Sequence, residues 1–201
     1  LALTVPSFYT QAQRQALLDA AEIAGLLPLS IVDENGAAAI HFASERVFDP
    51  QQPAQNILIV NAGAGAFQVS VVSFSGSKRG SKDVRHVRVL SKAWDADLGS
   101  SLIDLALADK FATDFDKQNP NGPSIRDSPR AMVRLRKEAR TVKEVLSGLD
   151  KFPVHFQQLH RDLDYRAVVT RAELEALIED AVLKRVAGPI TRALVAADVP
   201  A

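Results

Sequence analysis

Four groups of side chains in this chain of 201 residues have types or spacing that could do chemistry. The first is Asn61-Ala62-Gly63-Ala64-Gly65-Ala66, set between an apolar run that starts at Asn56 and an alternating run over Ala66–Phe74. A small-residue turn between two strands can bring backbone N–H groups up to a phosphate. The same residues also make an ordinary tight hairpin, and the turn by itself leaves both readings open. No Gly-Lys-Ser/Thr follows, so it is not a Walker loop, and a strand rather than a helix follows, so it is not a Rossmann fingerprint. The second group is Glu34, in a strand-to-helix turn Glu34-Asn35-Gly36. A carboxylate there could hold a metal-bound water or could partner the dipole of the next helix. The third is a helix face carrying Arg130, Arg134, Arg136, Lys137, Arg140 and Lys143. It fits contact with a nucleotide or an acidic partner, or a solvated face balanced by Glu138 and Glu144. The four histidines, His41, His86, His155 and His160, lack metal-ligand spacing, so no metal ligand is assigned. Nor is there a nucleophile elbow for Ser/His/Asp chemistry.

The elements that must position these groups read as alternating strands and helices. Leu1–Pro6 is β-like. Thr10 and Gln13 form a capping box for a helix to about Ala24, with Gly25 as its stop. Leu29–Val32 is a short strand, and the alanine-rich 37–47 reads as helix. Asp49–Gln55, with Pro50 and Pro53, reads as an exposed linker. The spacing then predicts three antiparallel strands in a meander, with Phe67, Val69 and Val71 on one face, a polar loop over 76–83 and a third strand over Val84–Lys92. A turn over 94–101 leads into a helix with Leu102, Leu105, Ala108, Ala112 and Phe115 facing the core. Ser128 and Pro129 start the next helix, whose Met132, Leu135, Ala139, Val142 and Leu146 follow 3-4 spacing. Phe152–Val169 holds one or two strands. Thr170 and Glu173 cap a helix that Gly188-Pro189 ends and replaces with a last one, its Ile190, Leu194 and Ala197 facing in.

Net charge is zero, which argues against a global field for nucleic acid, and no nucleic-acid partner is expected. No apolar run approaches a membrane span, so no membrane association is expected. The absence of cysteine removes disulfide and thiolate chemistry.

The order of these motifs resembles the actin-like nucleotide-binding domain of the DnaK-type, seventy-kilodalton heat-shock chaperones. Thr4–Tyr9 with Gln13–Ala16 and Ile23–Leu26 is similar to that family's first signature. Ile31–Ile40 is similar to its strand-to-helix segment, which usually reads asparagine-glutamate-proline-threonine before alanines. Asn61–Ser70 sits where the family has its second phosphate loop. Asp97-Leu98-Gly99 matches its next glycine turn, and Arg130–Ser147 its adenosine-contacting helix. Arg126–Arg130, Lys143–Ser147 and Val186–Ile190 look most like the divergent Hsp110/Grp170/Lhs-type branch of the ER lumen. The resemblance implies an α/β, actin-like (ribonuclease H-like) ATPase fold, with part of the first lobe at 1–48, a linker at 49–55 and the second lobe at 56–201. It places the family's first phosphate loop before Leu1 and its third glycine-rich turn after Ala201.

The resemblance further implies nucleotide contacts at Gly63, Ala64, Gly65, Ala66, Gly99, Arg140, Lys143 and Ser147, with ATP or ADP and Mg²⁺ in the full domain. The departures are in the chemistry. The family's catalytic aspartate is Asn61 here, its threonine is Ala66, its second aspartate is Gln68, and one loop glycine is Ala64. In the adenosine helix the usual glutamate is Arg140 and the usual arginine is Glu144. Glu34 remains as the one candidate catalytic carboxylate. An amide cannot take a proton from an attacking water as a carboxylate can. The expectation is a chaperone fragment that binds ATP with weak or absent hydrolysis. It would act as co-chaperone and nucleotide exchange factor for a DnaK-type partner in protein folding, with unfolded polypeptide bound by regions outside the chain. The ER lumen is the expected compartment, with the cytoplasm as the alternative. An active ATPase of the same superfold and a non-nucleotide-binding interaction module, with loops 76–83 and 117–127 as its surface, remain as rivals.

Overall fold

The structure is a computed structural model that describes residues 1–199. β1 (Ala2–Val5) pairs in parallel with β2 (Ser30–Asp33), from Ala2 opposite Ser30 to Val5 opposite Asp33. Between them runs α1 (Gln11–Ile23), opened by the Thr10–Gln13 capping box. It closes with Gly25 N–H on Glu22 O and Leu26 N–H on Ala21 O, while Gly25 takes φ +73°. That left-handed C′ residue is why a glycine ends this helix.

α2 (Glu34–Ser44) follows β2 without a loop. The turn expected at Glu34-Asn35-Gly36 is the first turn of the helix. Asp33 is its N-cap, accepting the Gly36 N–H at 3.0 Å, and this draws the helix start three residues earlier than alanine content suggests. β3 (Gln55–Ala62), β4 (Phe67–Arg79) and β5 (Lys82–Asp95) form the antiparallel meander in that order. The polar loop expected over 76–83 is instead strand. β4 and β5 continue to a two-residue turn at Gly80-Ser81, and Gly80 at φ +64° supplies the left-handed first position that such a turn needs. Both faces of β4 are buried, Phe67, Val69 and Val71 on one side and Gln68, Ser70, Val72 and Phe74 on the other. α2 covers the second side, where Ala39, Ala43 and Phe48 pack on Val72 and Phe74.

α3 (Ser101–Gln118) and α4 (Pro129–Leu146) pack together with the hairpin β6 (Lys151–His160) and β7 (Leu163–Thr170) and with α5 (Arg171–Ile178). The α3 core face is Ile103, Leu107, Ala108, Phe111, Ala112 and Phe115. Leu105, expected inward, is exposed, because the buried stripe is set by Ile103 and Leu107 rather than by Leu102 and Leu105. The α4 stripe Leu135, Ala139, Val142 and Leu146 is buried as its spacing predicts. β6 and β7 close through Arg161 and Asp162, both at positive φ. The break expected at Gly188-Pro189 lies earlier: a π turn at Glu179–Leu183 separates α5 from α6 (Lys184–Ala196), and Pro189 sits inside α6.

The chain forms two compact units, Leu1–Asp97 with Val186–Ala201, and Leu98–Arg185. Asp49–Gln55 therefore lies within one unit and does not divide the chain into compact parts. The reason is the packing of α2 and Phe48 on Val72 and Phe74, which ties the segments before and after 49–55 into one core.

Candidate functional site

In the first unit the strand register builds the site. Asn61 lies directly opposite Gln68 on β3 and β4, so their side chains leave the sheet together. On the covered face of β4 the side chains run from apolar to polar: Phe74 and Val72 against α2, then Ser70, then Gln68. Ser70 Oγ accepts from Asn35 Nδ2 at 3.1 Å, and Asn35 is buried. Gln68 reaches the start of α2, where Glu34 sits at the positive end of the helix.

Glu34 Oε2 accepts two hydrogen bonds, from Asn61 Nδ2 at 2.9 Å and from Gln68 Nε2 at 2.7 Å. Gln68 Oε1 in turn accepts the Ser7 backbone N–H at 2.7 Å. Ser7 Oγ donates to Asp33 Oδ1 at 3.1 Å, and Asp33 pairs with the Lys92 ammonium. Burial opposes the charge of Asp33, but Lys92, the Gly36 N–H and the Ser7 hydroxyl outweigh it and hold the carboxyl below its ordinary value. Glu34, Asn61, Gln68 and the Gly63–Ala66 turn line one cleft of about 380 Å³, with Phe8 and Tyr9 among its walls.

The turn itself is relaxed. Gly63 donates its N–H to Ala66 O at 3.0 Å, and neither Gly63 nor Gly65 takes a positive φ. A Cβ at Gly65 would meet nothing within 4 Å, so the glycine keeps cleft space open rather than relieving strain.

Chemically, this is one carboxylate whose Oε2 is filled by two amide donors. Three carboxylates meeting here would repel and would favour a cation; in the Asn–Glu–Gln group two amides donate to one oxygen of a single carboxylate. Among the described residues no cluster of three His, Cys, Asp or Glu side chains could hold a metal. The residues present therefore do not fit a metal held by protein carboxylates.

The remaining predicted contacts lie in the second unit. Lys143 Nζ is 2.6 Å from Asp104 Oδ1 and donates to Ser100 O at 3.3 Å, which ties α4 to the start of α3 just after Gly99. Arg140 Nε pairs with Glu144 Oε1 at 3.1 Å on the exposed face of α4. Ser147 is the C-cap of α4 and donates its hydroxyl to Glu144 O at 2.6 Å. His155 lies 3.7 Å from Asp164.

Sequence reasoning missed Ser7 and Asp33, which hold Gln68 and the helix start. The Asp-x-x-Gly pattern at Asp33–Gly36 is a readable N-cap signal; nothing local marks Ser7, whose partner is 61 residues away.

A family model described as Hsp70 protein matches residues 1–201. The chain belongs to the Hsp70 family. It is 36% identical over 198 residues to hypoxia up-regulated protein 1 of Danio rerio, covering 98% of this chain and 20% of that protein. The Xenopus laevis protein of the same name is 34% identical over 98% of the chain and 30% of its own length. Heat shock 70 kDa protein 17 of Arabidopsis thaliana is 30% identical over 90% of the chain and 21% of its own length. The chain thus spans a fifth to under a third of these relatives. The mixed strand and helix order accords with a fragment of the actin-like ATPase fold, and the relatives accord with the Hsp110/Grp170 branch. Among the described residues no helix is long and apolar enough to cross a membrane.

Proposed function

We propose that the full-length protein is an Hsp110/Grp170-type chaperone that binds ATP or ADP with little or no hydrolysis. It would serve a DnaK-type partner as co-chaperone and nucleotide exchange factor in protein folding, in the ER lumen. The Hsp70 family normally binds its nucleotide with Mg²⁺. In this reading Mg²⁺ would be held chiefly by the nucleotide, since no carboxylate cluster that could hold it is found among the described residues. Gly63, Ala64, Gly65 and Ala66 border the phosphates; Gly99, Arg140, Lys143 and Ser147 serve the nucleoside. Unfolded polypeptide is bound by regions outside this chain. The lobe assignment of 1–48 and 56–201 belongs to the same proposal.

The observation that carries it is the Glu34 carboxylate held between the amides of Asn61 and Gln68. Two N–H groups engage Oε2, which leaves Oε1 to face water, and the flanking Asn61 and Gln68 are amides that cannot take a proton from it as carboxylates could. Loss of one positioned catalytic group typically costs about 10²-fold or more in rate.

The test sets ATP calorimetry beside turnover for the full-length protein. Heat of ATP binding with turnover far below that of an ordinary Hsp70 supports the reading. Turnover at the ordinary level that Glu34→Gln abolishes establishes the active-ATPase rival, and no heat with ATP establishes the interaction module.

A further inference from the structure

β3 ends where Gln55 faces Phe74, but β4 and β5 run on together as a two-stranded arm from Ser75 to His86. The arm carries Lys78, Arg79, Lys82 and Arg85, with Arg88 at its base, against one acid, Asp83, in a chain of zero net charge. All five cations are exposed, and none makes an ion pair among the described residues.

The register sorts the arm into two faces. Phe74, Gly76 and Lys78 share one with Val87, Arg85 and Asp83. That face is taken up within the fold: a Cβ on Gly76 would overlap the Phe48 carbonyl, and Arg85 Nε donates to Arg46 O at 2.7 Å. The other face is open. It pairs Ser73 with Arg88, Ser75 with His86, Ser77 with Val84 and Arg79 with Lys82. Ser77 Oγ and His86 Nε2 lie 2.7 Å apart and bridge the strands at its middle. Cations therefore stand at both ends of a serine-lined strip, about 20 Å apart along the strands.

We propose that the open face of the β4–β5 arm is a docking site for an extended acidic polypeptide segment. An extended segment of about seven residues spans the strip, with its carboxylates meeting Arg79 and Lys82 at one end and Arg88 at the other. Charge complementarity sets the sign of the partner. The open face holds no Phe, Tyr or Trp on which bases could stack, which favours a polypeptide over single-stranded nucleic acid. The competing account is that these cations only blunt a sheet edge against aggregation, and it predicts no saturable ligand.

The experiment is fluorescence anisotropy on the full-length protein, using a labelled peptide of alternating glutamate and serine, with oligothymidylate and phosphatidylserine vesicles as comparisons. The expected result is saturable peptide binding that weakens as salt rises. Arg79→Glu/Lys82→Glu/Arg88→Glu should weaken it by about tenfold or more, while Lys151→Glu/Arg166→Glu on the β6–β7 hairpin leaves it unchanged. The neutral Arg79→Gln/Lys82→Gln/Arg88→Gln variant gives a smaller loss and serves if the reversed one unfolds. Absence of saturable binding, equal loss in the β6–β7 variant, or tighter binding of oligonucleotide or vesicles would overturn the proposal.

Discussion

Tyr165 is fully buried among Phe111, Phe115 and Phe156, yet its hydroxyl has no hydrogen-bond partner among the described residues. Burial, with Asp114 and Glu173 nearby, pushes its phenol well above the ordinary value. A buried hydroxyl without a partner carries a desolvation cost that its ring does not. Tyr165→Phe is expected to raise stability by about 1 kcal/mol, read as a higher denaturation midpoint. Gly76 is the opposite case. Phe48 backbone lies where its Cβ would be, and backbone cannot swing aside as a flexible side chain can. Gly76→Ala is expected to lower stability by about 3 kcal/mol, because the α2–β4 packing must open to admit it. Neither effect is visible in the sequence: both depend on which distant atoms fill the space.

Elements that stand on local chemistry were legible. The Thr10–Gln13 and Thr170–Glu173 boxes, the Ser128 cap with Pro129, and the α4 stripe all follow from residues within one or two turns of each other. Elements defined by distant partners were not. The β4–β5 arm reads as a polar loop because its strand pairing, not its composition, makes it strand. The loop at 117–127, a partner surface only in the rival interaction-module reading, is anchored: Asp116 accepts from Ser124 Oγ at 2.6 Å and Ile125 N at 2.8 Å, Arg126 lies 3.3 Å away, and Ile125 is buried. Burial opposes the Asp116 charge, but these donors outweigh it and hold its carboxyl below the ordinary value. A carboxyl with a depressed folded pKa adds stability that is present above the unfolded value and lost as pH falls through the folded one. Stability is therefore expected to hold from neutral pH to about 5 and to fall below about 4. Asp116→Asn should lower the neutral-pH plateau by about 1 kcal/mol and shrink the acid-dependent loss, checked by denaturation across that range.

For the whole molecule, the family was legible because motif order over the full chain is far more specific than any one motif, and the match spans residues 1–201. The chemistry was legible only in part. The resemblance implies aspartates where Asn61 and Gln68 stand, but nothing in the sequence says that both amides would close on one oxygen of Glu34. That closure needs the Asn61–Gln68 register and the placement of the α2 start beside it. Two amides on one oxygen hold the Glu34 carboxylate in place, and the function proposed above is that ATP locks this domain rather than being turned over. The most direct measurement is single-turnover ATP hydrolysis by the full-length protein beside its Asn61→Asp/Ala66→Thr/Gln68→Asp variant. The account predicts slow or undetectable turnover in the native protein and a gain of about 10²-fold or more in the variant. Turnover in the native protein equal to that of an ordinary Hsp70, with no gain on restoring the three residues, would contradict it.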